Sequence, residues 1–355
     1  MADEPKIEEQ DTLSPIEELQ KRMEDIEMSL GVFNPRNLGG LRTKDLQQAT
    51  RANLFGDGSD GDVVVSTSID LTRDMFYNSL TVEAAGIINT KSFRIFVKDQ
   101  FIKKPGGIVR NNGNAGDNGG DYINTFGPIP GGAAVAAGSL PGGVAGSVGG
   151  TGSNPGNAGT VGVGTDKSLG SAGSGGGGGG AGISYPGGAG GSGGSQTGTI
   201  FNFPNSFSSA YYLIDILPSI VALTLSAGSG GGGGGAGTTK VGGGRDVNNG
   251  GGAGSTGGML WIASNRIFVE GVDEIQCQGG AGGDGGDGEV AASHGAGGGG
   301  AGGSGGVLIL IYGEKTGTGT LSVAGGAGGI GGTGLNNGVN GGVGQTGKQY
   351  LIQIA

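Results

Sequence analysis

The chain has 355 residues, of which 92 are glycine; 5% are aromatic and 14% charged, and the net charge is −10. With no basic surplus to meet phosphates, the composition argues against nucleic-acid binding. Cys277 is the single cysteine, which excludes an intrachain disulfide framework.

Glycine and charge are both unevenly placed. Residues 1–105 hold 7 glycines and residues 106–355 hold 85, while residues 1–30 carry 10 acids against Lys6, Lys21 and Arg22. The opening Met-Ala-Asp-Glu-Pro-Lys has neither the cationic nor the apolar region of a secretion signal. The apolar stretch 210–227 is broken by Asp215 and Pro218 and is short for a membrane span.

In chain order, the first predicted element is a helix. Ser14 serves as its N-cap, Pro15 occupies its first turn and Glu17 completes a capping box. Ile16, Leu19, Met23, Ile26, Leu30 and Phe33 follow at alternating steps of three and four, a heptad seam for self-association, with a homotrimer as the preferred state. A single amphipathic helix packed on its own chain is the alternative. Residues 1–33 thus form an acidic tail and oligomerisation helix, and residues 34–61 a connector with a short helix at 44–52.

From Asp62 the apolar period becomes two. Short strands at close spacing predict a β-rich, solenoid-like module over residues 62–112. Its plan of strand, turn, strand and glycine run recurs: Arg94-Ile95-Phe96-Val97 matches Arg266-Ile267-Phe268-Val269, and Leu308 to Gly329 repeats the pattern.

Residues 113–355 form the glycine-rich remainder. Glycine recurs at every third position in separated runs, such as 143, 146, 149 and 152, or 170, 173, 176, 179 and 182. Three residues per turn is the polyproline-II period. Such segments make no internal hydrogen bonds, so their amides must bond to neighbours. The expected fold class is therefore mostly β plus polyglycine-II helices: an N-terminal coiled-coil helix, a β-rich module, then bundled polyglycine-II helices interleaved with short strands. The hexaglycine segments 174–182 and 229–237 are expected innermost, and runs with Ser, Asn, Ala, Val or Thr outside. A flexible glycine linker is the competing reading, but linkers need no three-residue phase and do not alternate with strands such as Val307 to Tyr312.

These runs, together with Asp60-Gly61-Asp62-Val63 and Leu71-Thr72-Arg73-Asp74-Met75-Phe76-Tyr77, resemble the glycine-rich receptor-binding proteins and adhesins of bacteriophage tail fibres. The resemblance implies a virion protein, made in the host cytoplasm, that attaches to a host surface protein or polysaccharide and joins other tail or fibre proteins through its N-terminal region. It is not expected to be an enzyme or to carry a cofactor. A purely structural spacer subunit and an antifreeze-type protein are the alternatives.

If the glycine scaffold is rigid, specificity must come from what interrupts it. The candidate receptor-binding residues are Tyr122, Phe126, Tyr185, Phe201, Phe203, Phe207, Tyr211, Tyr212 and His294. Loop aromatics add contact area at low entropic cost, though Phe201, Phe203 and Tyr211 could equally form a hydrophobic plug. His294 is expected on a solvated loop, and Cys277 buried on a strand. The stretch 56–62 misses the ligand spacing of a calcium loop and reads as a turn before a strand.

Overall fold

The computed structural model describes residues 54–120, 128–151, 156–162, 173, 175–181, 186–194, 234, 248–288 and 294–354. They build two all-parallel sheets. The six-stranded sheet contains β1 (Asp62–Val65), β3 (Met75–Val82), β5 (Arg94–Lys103), β7 (Met259–Val269), β9 (Val307–Thr316) and β11 (Lys348–Gln353), in that order. The five-stranded sheet contains β2 (Ser68–Asp70), β4 (Ile87–Asn89), β6 (Ile108–Arg110), β8 (Ile275–Gln276) and β10 (Leu321–Ser322). The chain alternates between the sheets, so each pair of consecutive strands is one coil of a solenoid. The sheets run through both 62–112 and the glycine-rich remainder, because β5 pairs with β7 and β6 with β8.

This corrects the expected fold class. Among the described residues there is no helix bundle and no coiled coil; parallel sheets of six and five strands organise the chain. The physical reason lies in the repeated strand units, which pair with one another in register and so carry the fold. The heptad residues Ile16, Leu19, Met23, Ile26, Leu30 and Phe33 and the short helix at 44–52 lie outside the described residues.

Alternation explains the core. Leu80, Val82, Ile95, Val97, Phe101, Leu260, Ile262, Leu308 and Leu310 face inward between the sheets and are sealed from solvent. The opposite face of the larger sheet is apolar too, carrying Phe96, Trp261, Ile309, Ile311 and Ile352. Burial on both faces is what makes β7 and β9 read as continuous hydrophobic runs rather than alternating ones. Phe76 and Phe96 stack there with centroids 5.0 Å apart and planes 3° from parallel.

Tight turns join the sheets at one end of the solenoid. Gly106, Gly271 and Gly317 sit in three of them at φ +83°, +85° and +87°, where a Cβ is disfavoured. At the other end the early coils close by short connections, but β6, β8 and β10 run on into glycine segments that travel out and return. After β8 the chain leaves along 279–288 and comes back along 294–306 into β9. After β10 it leaves along 323–334 and returns along 338–347 into β11. The excursion after β6 leaves along 113–120 and re-enters β7 through 248–258.

Removing side chains lets the two layers close. Stacked sheets keep about 10 Å between them because side chains fill the gap. In the glycine region the layers bond directly: Gly297, Gly300 and Gly303 donate to the carbonyls of Gly286, Gly283 and Gly280, each at 2.8 Å. Bonds within a layer follow the same three-residue step, Gly279, Gly282 and Gly285 donating to Ala324, Ala327 and Ile330.

The interior of this array differs from expectation. The fully buried segments are 248–258 and 294–306. Residues 175–181, from the first hexaglycine run, are partly exposed apart from Gly177 and Gly180; of the second, only Gly234 is described. Position follows strand order rather than glycine content. β7 and β9 are inner strands, so the segments feeding them are inner too. Ala253, Ser255, Thr256, Ala301 and Ser304 are small enough for this interior. The Ser255 and Thr256 hydroxyls even accept lattice bonds, from the amides of Asn114 and Val144, both at 2.7 Å.

Candidate functional site at the distal end of the glycine array

The array has a near end, fused to the sheets, and a distal end where outgoing segments turn back. Hydrogen bonds fix which residues meet there. Gly180 donates to Ala296 at 2.8 Å, Ala296 to Asn336 at 3.1 Å and Leu335 to His294 at 2.9 Å. The Asn336 side-chain amide donates to the Ala181 carbonyl at 2.6 Å, and that of Asn248 to the Gly295 carbonyl at 2.7 Å. Gly286 donates to Asn249 and Gly288 to Thr333, at 2.9 and 2.7 Å. Gly120 belongs to the same end, its carbonyl lying where a Cβ on Gly286 would project.

Residues that flank 121–127, 182–185 and 289–293 therefore converge on one end, beside the turn 334–337. Tyr122 and Phe126 fall in the first of these segments and Tyr185 in the second; all three lie outside the described residues. So do Phe201, Phe203, Phe207, Tyr211 and Tyr212. His294 is described, and its place corrects the expectation of a solvated loop: the side chain is 0% exposed.

Sequence reasoning missed two groups of residues. One is the exposed turn Leu335-Asn336-Asn337, held by Asn337 Oδ1, which accepts from the Gly334 amide at 3.0 Å. Its signal was available, since only three residues without glycine separate two phased runs. The other group is a set of side-chain clasps across the outer face of the array. Gly113 donates to the Gln278 carbonyl while Asn112 Oδ1 accepts from the Gln278 amide, both at 2.8 Å. Asn118 and Gly119 hold Asp284 in the same way, at 2.9 and 2.6 Å. Asp284 with Gly285 holds Ile330, and Asp287 with Gly288 holds Thr333. An Asn-Gly or Asp-Gly pair in phase with the glycines thus binds both backbone groups of one residue on the next segment.

The described glycine segments carry Asp117, Asp284 and Asp287 but no lysine or arginine. Among the described residues no His, Cys, Asp or Glu group is arranged to hold a metal ion. Within 56–62, Asp60 pairs with Arg73 at 2.6 Å and Asp62 accepts from Asn78 and Ser79, each at 2.7 Å, so these acids tie a turn to β3. Cys277 follows β8 and is buried; burial pushes its thiol well above the ordinary range and leaves it a packing residue. No helix among the described residues is long and apolar enough to cross a membrane. Compared with known proteins, the chain matches no family model, no curated protein and no solved structure.

Proposed function

We propose that this chain is a virion tail-fibre receptor-binding protein, attaching to a host cell surface through segments displayed at the distal end of a rigid glycine array. One observation carries the reading: the described residues that flank connections far apart in sequence lie side by side at that end, in array segments bonded laterally to their neighbours. A scaffold of this kind lets the displayed residues vary without disturbing the fold. It also keeps their spacing fixed, which lowers the ordering cost of binding. The resemblance to phage adhesins supplies the biological setting, including association with further copies of the chain and with other fibre proteins.

Labelled full-length protein, applied to a panel of bacterial strains, tests the proposal. Binding to a subset of strains is expected, and replacing 121–127 or 182–185 with Gly-Ser segments of equal length should abolish it while the circular dichroism stays unchanged. Binding that survives replacement of both segments, or no binding to any strain whose infection the protein blocks, overturns the distal-end reading.

A further inference from the structure

The sequence contains five Asn-Gly pairs, at Asn112, Asn118, Asn249, Asn337 and Asn340. In a mobile chain such a pair is chemically labile. The main-chain nitrogen of the glycine attacks the asparagine Cγ, its proton leaves with the side-chain nitrogen as ammonia, and a cyclic imide results. Water then opens the imide at either carbonyl, giving aspartate or isoaspartate. The reaction needs a free glycine N–H and an asparagine side chain able to rotate towards it.

The array withholds both. Gly113, Gly119, Gly250, Gly338 and Gly341 donate their amides to Gln278, Asp284, Gly150, Gly332 and Gly329, at 2.8, 2.6, 2.9, 2.9 and 2.9 Å. The asparagine oxygens are engaged as well: Asn112 by Gln278 at 2.8 Å, Asn118 by Asp284 at 2.9 Å and Asn340 by Gly331 at 2.8 Å. Asn249 is 0% exposed. These four are held from another segment or sealed inside.

Asn337 is held differently. Its oxygen accepts from Gly334, three residues earlier in the same exposed turn. Releasing that oxygen displaces no neighbouring segment; the Gly338 amide is held only by Gly332, six residues earlier across the same turn, at 2.9 Å, and Asn337 is exposed at the distal end. We infer that the glycine array locks its Asn-Gly pairs against deamidation and that Asn337–Gly338 is the modification site of the folded chain, where ageing adds a carboxylate to the distal turn. This chemistry is independent of the attachment reading.

The test is incubation of the full-length protein at mildly alkaline pH, with and without guanidinium, followed by peptide mass spectrometry that separates aspartate from isoaspartate. In native buffer Asn337 should convert first. The other four should lag their guanidinium rates by roughly tenfold or more, the effect of about two backbone hydrogen bonds. In guanidinium all five should convert readily. The inference is overturned if Asn112, Asn118, Asn249 and Asn340 convert as fast in native buffer as in guanidinium, or if Asn337 lags behind them. An Asn337→Ser chain should lose only the first event.

Discussion

Lys103 and Glu274 lie 171 residues apart and meet as an ion pair whose lysine side chain is sealed from solvent while the carboxylate keeps 20% exposure. The second carboxylate oxygen accepts from the Gly106 amide at 2.8 Å. The pair joins the turn after β5 to the turn after β7, across the largest excursion of the chain. Removing only the acid strands a buried ammonium, and breaking a buried pair in this way costs about 3–5 kcal/mol. Glu274→Ala is therefore expected to lower the denaturation midpoint strongly, and Lys103→Met combined with Glu274→Leu to recover most of the loss. Equilibrium denaturation of the single and double variants checks this.

Close approach in the array separates glycines that look alike in sequence. A Cβ on Gly300 would lie 2.1 Å from the Gly252 carbonyl oxygen, and one on Gly177 would lie 1.9 Å from that of Val339. One on Gly178 meets nothing nearer than 3.6 Å. Gly178→Ala should leave protease resistance unchanged, whereas Gly177→Ala and Gly300→Ala should lose it. Overpacking costs typically 1–3 kcal/mol, and backbone neighbours bonded laterally have little room to yield.

The clasps predict both a loss and a gain. Asn118→Ala removes one hydrogen bond to Asp284 and should cost about 0.5–1.5 kcal/mol, towards the lower end because the site is exposed. Ala115 occupies the same phase as Asn112 and Asn118, and Gly116 already donates to Ala281 at 2.9 Å. Ala115→Asn should supply a side-chain acceptor for the Ala281 amide and raise the melting temperature. No rise, or a fall, counts against the clasp as a transferable unit.

Acid should loosen the first coils. Burial pushes the Asp74 carboxyl up, but hydrogen bonds from Arg94 and Ser139 outweigh it and hold the group below the ordinary carboxylate range. The Arg73 side chain, with the Phe76 amide, does the same for Asp60. Both values are depressed on folding, so their stabilisation is fully present above the unfolded value of about 4. It is lost as pH falls through the lower folded values. Denaturation midpoints should hold steady from pH 7 to 5 and drop below pH 4, with a shallower drop in Asp74→Asn.

The strand units were legible because alternation and repetition survive in the letters: Arg94 to Val97 and Arg266 to Val269 proclaim their kinship. That they pair into the same sheet was not, since the partners are separated by an excursion whose composition draws attention to itself. The three-residue phase pointed to lateral amide bonding but not to which segments lie inside. Glycine content was the wrong guide there, because Ser255 and Thr256 show that a small hydroxyl serves an interior as well as glycine does. His294 misled for a related reason: a Ser-His-Gly-Ala stretch between glycines looks like loop, yet His294 opens the buried segment 294–306 that feeds the inner strand β9.

Because segments 248–258 and 294–306 are bonded around their whole circumference, the array reads its sequence in words of three. Inserting one or two residues there would rotate every following residue by a fraction of a turn and bring side chains where only hydrogen atoms fit. Adding three residues to an outgoing leg and three to its return would simply lengthen the prong. Length variation among natural or designed descendants of this chain should accordingly come in triplets along the legs, and in any number at the tips.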